Sequence, residues 1–208
     1  MKKEILDRIQ QLGGNISKVK GLSSNNDILS ITFDTVLYKR PIDTPWEKAE
    51  DSEPIYGISE FINENHELFK KDPKAFYDKI IEKYYRLTIE GYGQMFWEGQ
   101  PFTPYKQGTE DYEEWNDEFI EDDIDLSEIT KVTNETTPDF IYLFSSYGYP
   151  DNYYICLSDP NPENPTLFGT DHEVFFREVT NEGNLEDFLN IFMTKEELLE
   201  IVKKRIES

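Results

Sequence analysis

The stretch DNYYICLSDPNPENPTLFGTDHEVFFREV, residues 151–179, decides the fold of this chain. Its runs NYYICLS, PTLFG and EVFFREV combine aromatic and β-branched residues, which favour β-strands. Between them lie segments rich in Pro, Gly, Asp and Asn, which are typical of turns. A fourth run of the same kind, FIYLFSS, precedes them at residues 140–146. Connectors this short favour antiparallel pairing, since a parallel crossover needs more chain, so the sequence predicts four antiparallel strands in succession.

Helix signals lie on both sides of these strands. After them, Asn184 suits the N-cap of a helix, and Thr194 with Glu197 forms a T-x-x-E capping box. Before them, Asp72 followed by Pro73 marks another helix start, because Asp caps and Pro fits the first helical position. The strands are therefore expected to lie among helices.

Strands that cluster late in a chain, with helices around them, predict an α+β fold. We expect a central antiparallel sheet of about four to six strands flanked by helices. We also expect a single domain over residues 1–208, with a helical region at 58–120 packed on a sheet and helix region at 138–207.

The first half of the chain carries weaker signals. LSITFDTVLYK, residues 29–39, alternates and predicts one strand. Residues 58–69 carry an apolar stripe at helical spacing and predict one helix. A shorter helix is predicted over 89–97, followed by an aromatic loop over 98–108 that Pro and Gly punctuate.

The charge balance narrows the kind of partner. The chain of 208 residues has 43 Asp or Glu and 21 Lys or Arg, a formal net charge of −22 with His neutral. This charge repels phosphate backbones and anionic membrane surfaces, so neither nucleic acid nor membrane is expected as a partner. A basic protein partner is favoured instead. Aromatic residues make up 14% of the chain, which disordered chains lack, so we expect it to fold.

No signal for export is visible. The start, MKKEILDRIQQLGG, places acids among its apolar residues, whereas a signal peptide needs an uninterrupted apolar core. No apolar run approaches the length that spans a bilayer. The single cysteine, Cys156, cannot form an intramolecular disulfide, which fits a reducing compartment. We therefore expect a cytoplasmic protein, monomeric or weakly dimeric.

The order of elements in the last third resembles a known family. An aromatic strand DNYYICLS, a short strand ending near GTDHE, a second aromatic strand and then GNLEDFL opening a helix are similar to the SUKH superfamily, the Smi/Knr-type proteins. The resemblance covers residues 138–200 and implies an α+β fold with a central antiparallel sheet. It also implies a function, because bacterial members commonly serve as immunity proteins that bind and neutralise a toxin. The family's N-terminal Leu-Pro and Asn-Gly signature is not found here, so no site residue is carried over.

An acidic segment is the first candidate site. TEDYEEWNDEFIEDDID, residues 109–125, holds ten Asp or Glu and no Lys or Arg. Thr109 is expected to cap a helix whose Tyr112, Trp115 and Phe119 form one apolar side. The opposite side is read either as a plain solvated face or as a binding surface for a basic partner. The predicted partner-binding residues are Glu110, Glu113, Glu114, Asp117, Glu121, Asp122 and Asp123.

The histidine in GTDHE is the second candidate. His172 beside Asp171 suits a general acid or base, or a metal ligand. It equally suits a turn in which Gly169 takes a positive φ, Asp171 bonds the backbone and His172 opens the next strand. A metal site usually needs several His or Cys, and the other histidine, His66, lies on a separate helix. We predict the turn, with no catalytic residue, no metal and no cofactor.

Two further groups of residues were weighed. Cys156 lies mid-strand, so we expect it to be buried and inert. Its strand should be covered on both sides, because both of its alternating faces are apolar. The aromatic residues Trp97, Phe102 and Tyr105 would line a groove for a ligand or partner, or else pack in the core.

Three functional hypotheses remain open. The first is a non-catalytic protein-binding module, a bacterial immunity protein that neutralises a toxin domain through the acidic surface. The second is a regulatory or scaffold domain of the same fold with another protein partner. The third is a hydrolase using Asp171 and His172.

Overall fold

All four strand patterns of residues 140–179 form strands in the structure, and two more strands join them. The computed structural model describes residues 1–41, 53–87, 93–120, 124–146 and 150–207. The strands are β1 (Gly14–Asn15), β2 (Thr32–Phe33), β3 (Leu37–Tyr38), β4 (Gln94–Phe102), β5 (Phe140–Ser146), β6 (Asn152–Cys156), β7 (Thr166–Asp171) and β8 (Phe175–Asn184). The helices are α1 (Lys3–Gln11), α2 (Ser24–Ser30), α3 (Ile58–Glu64), α4 (His66–Lys71), α5 (Pro73–Tyr84), α6 (Glu110–Ile120), α7 (Ser127–Thr133), α8 (Leu185–Asn190) and α9 (Lys195–Glu207).

The main sheet has six antiparallel strands in the order β3-β4-β5-β6-β7-β8. Strands β1 and β2 form a separate antiparallel pair. From β4 onward each strand pairs with the next one in the chain, as expected where short connectors join successive strands. The predicted α+β class, with a sheet flanked by helices, is confirmed.

Alternation along β6 places side chains on both faces of the sheet. Tyr153 and Ile155 pack in a cluster with α1 and α8, whereas Tyr154 and Cys156 pack in a second cluster on the other face. All four are buried. The prediction of a central strand covered on both sides is confirmed.

Three hydrophobic clusters hold the helices in place. The first packs α1, α2 and α8 on one face of the sheet, through Ile5, Ile9, Ile28, Leu185 and Leu189. The second joins α3, α5 and α9 around Val36 and Tyr38, through Ile58, Phe61, Phe76, Ile80, Leu198 and Val202. The third packs α6 and α7 on the opposite face of the sheet, through Phe119 and Ile129.

The predicted helix caps are present. Asp72 Oδ1 accepts a hydrogen bond from Ala75 N at 3.0 Å, and Asn184 Oδ1 accepts one from Asp187 N at 3.0 Å. Thr194 and Glu197 form the reciprocal capping box: Glu197 N donates to Thr194 Oγ1 at 3.1 Å, and Thr194 N donates to Glu197 Oε2 at 2.7 Å.

The predicted helix over 89–97 is wrong at residues 94–97, and the predicted loop over 98–108 is wrong at residues 98–102, whereas residues 103–108 form turns as predicted. Residues 94–102 form β4, so the region 58–120 is not wholly helical, and residues 88–92 lie outside the described part. Gly99 and Pro101 suggested a loop, but the strand accommodates a break in register between Trp97 and Gln100. Gly99 takes a φ of 57° within that bulge, a conformation that glycine adopts without strain.

Two other predictions are corrected. The segment 29–39 is not one strand. Leu29 and Ser30 belong to α2, and two separate strands follow, β2 and β3, which lie in different sheets. The segment 58–69 is two helices that meet at Asn65, whose side-chain amide donates to the Phe61 carbonyl at 2.8 Å. Local periodicity did not show either interruption.

None of the helices in the described ranges is both long enough and apolar enough to cross a membrane.

Candidate functional site

Helix α6 begins with two side chains that fix its position. Thr109 Oγ1 accepts a hydrogen bond from Tyr112 N at 3.2 Å, which confirms the predicted cap. In the first turn, Asp111 Oδ2 accepts from Thr103 N at 2.8 Å and from Thr103 Oγ1 at 3.1 Å. Asp111 therefore ties α6 to the end of β4 and is not a free surface carboxylate.

Of the three residues predicted for the apolar side of α6, Trp115 and Phe119 dock on the sheet, whereas Tyr112 is half-buried and its hydroxyl accepts a hydrogen bond from Gln107 Nε2 at 3.5 Å. The Trp115 ring lies 4.8 Å from the Phe175 ring between centroids, and Phe119 lies 5.8 Å from Phe102 and 5.0 Å from Phe176. Phe119 is buried, and aromatic contacts of this kind add to the stabilisation that comes from burial. The helix is thus held against the core of the third cluster.

The opposite side of α6 is a continuous acidic surface, named here the acidic face. It consists of Glu110, Glu113, Glu114, Asp117 and Glu118, which are all exposed. Within the described residues none of these carboxylates accepts a hydrogen bond or forms an ion pair. Glu118 was not among the predicted binding residues, although its helical spacing from Glu114 would have included it. The predicted residues Glu121, Asp122 and Asp123 lie outside the described residues.

The acidic face works against the stability of its own helix. Like charges three or four residues apart, such as Glu110 with Glu114 and Glu113 with Asp117, repel by a few tenths of a kcal/mol per pair. Asp117 and Glu118 lie near the helix C-terminus, where the helix dipole disfavours negative charge, and the last turn has no basic residue. Glu110 and Glu113 gain from the helix dipole in the first turn, but none of the five carboxylates has a hydrogen-bond or ion-pair partner among the described residues.

A shallow depression of about 590 Å³ opens on this face. It is lined by Gly108, Thr109, Glu110, Glu113 and Glu114. Three of its five lining residues are carboxylates, so the depression suits a cationic side chain from a partner.

Trp97, Phe102 and Tyr105, for which a groove or packing in the core was expected, pack in hydrophobic clusters on opposite faces of the sheet. Trp97 packs against Phe33 and Phe144 in the first cluster, at 5.2 Å in each case. Phe102 is buried in the third cluster, and Tyr105 packs against the same cluster. Because these clusters lie on opposite faces, the residues do not line one groove.

Asp151, Asp171 and His172 meet at one end of the sheet and are named here the Asp–His cluster. A carboxylate oxygen from each aspartate and a ring nitrogen of His172 all lie within 4.8 Å of one another. His172 Nδ1 hydrogen-bonds Asp151 Oδ2 and lies 4.0 Å from Asp171 Oδ1. Asp151 also accepts from Asn152 Nδ2 at 2.9 Å, and Asp171 accepts from Glu173 N at 2.6 Å. Both carboxylates therefore have partners inside the protein.

The electrostatics of the cluster favour the charged imidazole. The hydrogen bond from Asp151, and then its negative charge, raise the pKa of His172 above its ordinary value. A raised pKa leaves less of the neutral base that would take a proton in catalysis near pH 7. Within the described part of the chain, the polar contacts of the His172 side chain are with carboxylates and with no hydroxyl or thiol.

The turn predicted around GTDHE is present but differs in two details. Asp171 bonds the backbone as expected, whereas His172 lies in the turn and the next strand begins at Phe175. Gly169 does not have a positive φ. A Cβ at Gly169 would lie 2.7 Å from Pro150 Cγ, so glycine is needed there for close approach to a neighbouring segment.

Cys156 is buried, as predicted. Burial raises the pKa of its thiol, which keeps the sulfur protonated and weakly nucleophilic. Asn152 pairs with Thr170 close to His172, and Cys156 follows four residues later along β6, about 13 Å away at the usual rise per residue. The spacing along β6 therefore keeps the Cys156 thiol away from the His172 imidazole.

Comparison of the chain with protein-family models, curated proteins and solved structures gives no match.

Proposed function

We propose that this chain is a non-catalytic protein-binding module of the SUKH type that acts as a bacterial immunity protein. In this proposal it neutralises a toxin domain by direct binding through the acidic face. The observation that carries the proposal is the set of five exposed carboxylates on one side of α6, none of them paired within the described residues.

The mode of attachment supports binding. Because Trp115 and Phe119 fix the helix on the sheet, the carboxylates are presented on a rigid element before any partner arrives. A preorganised surface loses less side-chain and backbone freedom on binding than a mobile tail does. A fixed negative surface also steers a basic partner and speeds its association, an effect that salt screens.

Protein binding through the acidic face is favoured over hydrolysis at the Asp–His cluster. The carboxylates of the cluster accept hydrogen bonds from an imidazole, a side-chain amide or a backbone N–H, whereas those of the acidic face have no such partner among the described residues. The hydrogen bonds of Asp151 and Asp171 stabilise the turn that contains His172, so its position is accounted for without catalysis. Replacing His172 with Ala should therefore leave partner binding unchanged, and loss of binding would relocate the site.

Capture from the native host tests the proposal. Three tagged baits are compared: the wild-type chain, Glu113→Lys/Asp117→Lys, and a control with the same charge change on other helices, Glu4→Lys/Glu64→Lys. All four positions are exposed, so each bait should fold, and circular dichroism checks this. We expect the wild type and the control to retain one basic protein in stoichiometric amount, and the acidic-face variant to lose it.

Immunity requires more than binding. The captured partner should be toxic when expressed alone and harmless when the wild-type chain is co-expressed. A partner that binds through the acidic face but is not toxic would favour the regulatory or scaffold function instead. Equal capture by all three baits would contradict binding through this surface.

A further inference from the structure

A cleft of about 690 Å³ lies between the segment after β2, helices α3 and α5, and the start of α9. This volume is within the usual range for small-molecule sites. Its lining residues are Asp34, Thr35, Phe61, Lys79, Ile81, Glu82, Lys83, Tyr85, Arg86 and Lys195. This surface is named here the basic cleft.

The charge of the basic cleft is opposite to that of the chain. It is lined by four basic residues, Lys79, Lys83, Arg86 and Lys195, and by two acids, Asp34 and Glu82. The whole chain, by contrast, has about twice as many acids as bases and a net charge of −22. A local excess of positive charge in so acidic a protein requires a cause.

Aromatic rings and an amide position three of these cations. Lys83 Nζ lies 4.9 Å from the centroid of the Phe61 ring, and Lys195 Nζ lies 5.5 Å from that of Tyr85. Lys79 Nζ donates to Asn65 Oδ1 at 2.6 Å and lies 5.6 Å from the Phe61 centroid. Cation–π contacts hold an ammonium group without neutralising its charge.

None of the four cations has a carboxylate within ion-pair distance among the described residues. Lysines elsewhere on the surface do form such pairs, for example Lys74 with Asp78 and Lys203 with Glu200. Among the described residues, therefore, no carboxylate neutralises the cations of the cleft by an ion pair.

We propose that the basic cleft binds a small soluble anion bearing two or more phosphate charges. Lysine ammonium groups bind phosphate oxygens as point charges, and the Arg86 guanidinium adds a planar donor fork. The ligand is small because the charge of the whole chain repels extended polyanions and anionic membranes. Within the cleft a compact anion meets four cations against the two lining acids, Asp34 and Glu82, while salt screens the acids that lie farther away than about 8 Å.

Titration calorimetry with sodium pyrophosphate, at constant ionic strength and without divalent metal, tests the site. The wild-type chain should bind with a stoichiometry of one. Lys83→Gln/Lys195→Gln should weaken binding roughly tenfold or more, because two charge-assisted contacts are lost. Lys18→Gln/Lys106→Gln removes the same charge at exposed positions outside the cleft and should bind as the wild type does.

Thermal unfolding identifies any variant that fails to fold, and Arg86→Gln, at an exposed position, then replaces the double substitution. Absence of pyrophosphate binding by the wild type would overturn the proposal, as would equal weakening in the control. Vesicles of phosphatidylcholine with a phosphoinositide test a lipid source of phosphate. Co-sedimentation that the Lys83→Gln/Lys195→Gln variant loses would overturn a soluble ligand in favour of a lipid headgroup.

Discussion

The acidic face and the Asp–His cluster are both rich in carboxylates, yet the contacts of these carboxylates differ. In the cluster, Asp151 and Asp171 accept hydrogen bonds from an imidazole, a side-chain amide and a backbone N–H. On the acidic face the carboxylates have no such partners in the described part of the chain. A count of acids therefore does not by itself identify a binding surface. What distinguishes the two regions is whether their carboxylates have partners among the described residues.

The largest expected effect concerns the anchor that makes the acidic face rigid. Replacing Phe119, which is 7% exposed, with Ala should lower the free energy of unfolding by about 3–5 kcal/mol through lost burial and a cavity. Ile120, its exposed neighbour, is the matched control, and Ile120→Ala should change stability little. Urea denaturation measures both. Similar small effects in the two variants would show that α6 is not docked as described.

A smaller loss of stability is expected from a substitution at Gly169, where β7 passes close to Pro150 and Thr180. In Gly169→Ala the new methyl group would lie 2.7 Å from Pro150 Cγ and 2.9 Å from Thr180 Oγ1. Overpacking of this kind should cost about 1–3 kcal/mol, again measured by urea denaturation. An unchanged free energy of unfolding would mean that Pro150 and its neighbours can shift to make room for the methyl group.

Removing one carboxylate from each region should change stability in opposite directions. Asp171→Ala loses the acceptor for Glu173 N and should cost roughly 1 kcal/mol. Asp117→Asn removes a negative charge near a helix C-terminus and should stabilise by a few tenths of a kcal/mol. Thermal and urea unfolding of the two variants, side by side, measure the difference. The same sign in both would remove the distinction between the regions.

The smallest effect is a titration. In Asp151→Asn the neutral amide replaces the charged acceptor, so the pKa of His172 should fall relative to the wild type. In the wild type the raised pKa means that the Asp151 interaction stabilises the fold below the unfolded pKa of histidine. That contribution is lost as the pH rises through the folded pKa. NMR titration of the imidazole protons measures the change, and an unaltered pKa would rule out the Asp151 contact.

The features that local chemistry determines could be predicted from the sequence. The caps at Asp72, Asn184 and Thr194 need only a few neighbouring residues, and the two apolar faces of β6 follow from strict alternation. The docking side of α6 follows from its helical spacing. Each of these depends on residues within a few positions of one another.

Features that depend on distant partners could not be predicted. Strand β4 carries Gly99 and Pro101, and it is recognisable as a strand only through its pairing with β3 and β5. The contact of His172 with Asp151 joins residues 21 positions apart. The basic cleft could not be predicted because its cations, from α5, the residues just after it and the start of α9, are far apart in the sequence and meet only in the folded chain.

The most direct test measures how fast the captured basic partner associates at several salt concentrations. The wild-type chain and the Glu4→Lys/Glu64→Lys control should associate rapidly at low salt and slow steeply as salt rises. Glu113→Lys/Asp117→Lys should associate roughly tenfold more slowly or worse, with a flatter dependence on salt. The same rates and the same salt dependence in all three proteins would contradict binding through the acidic face.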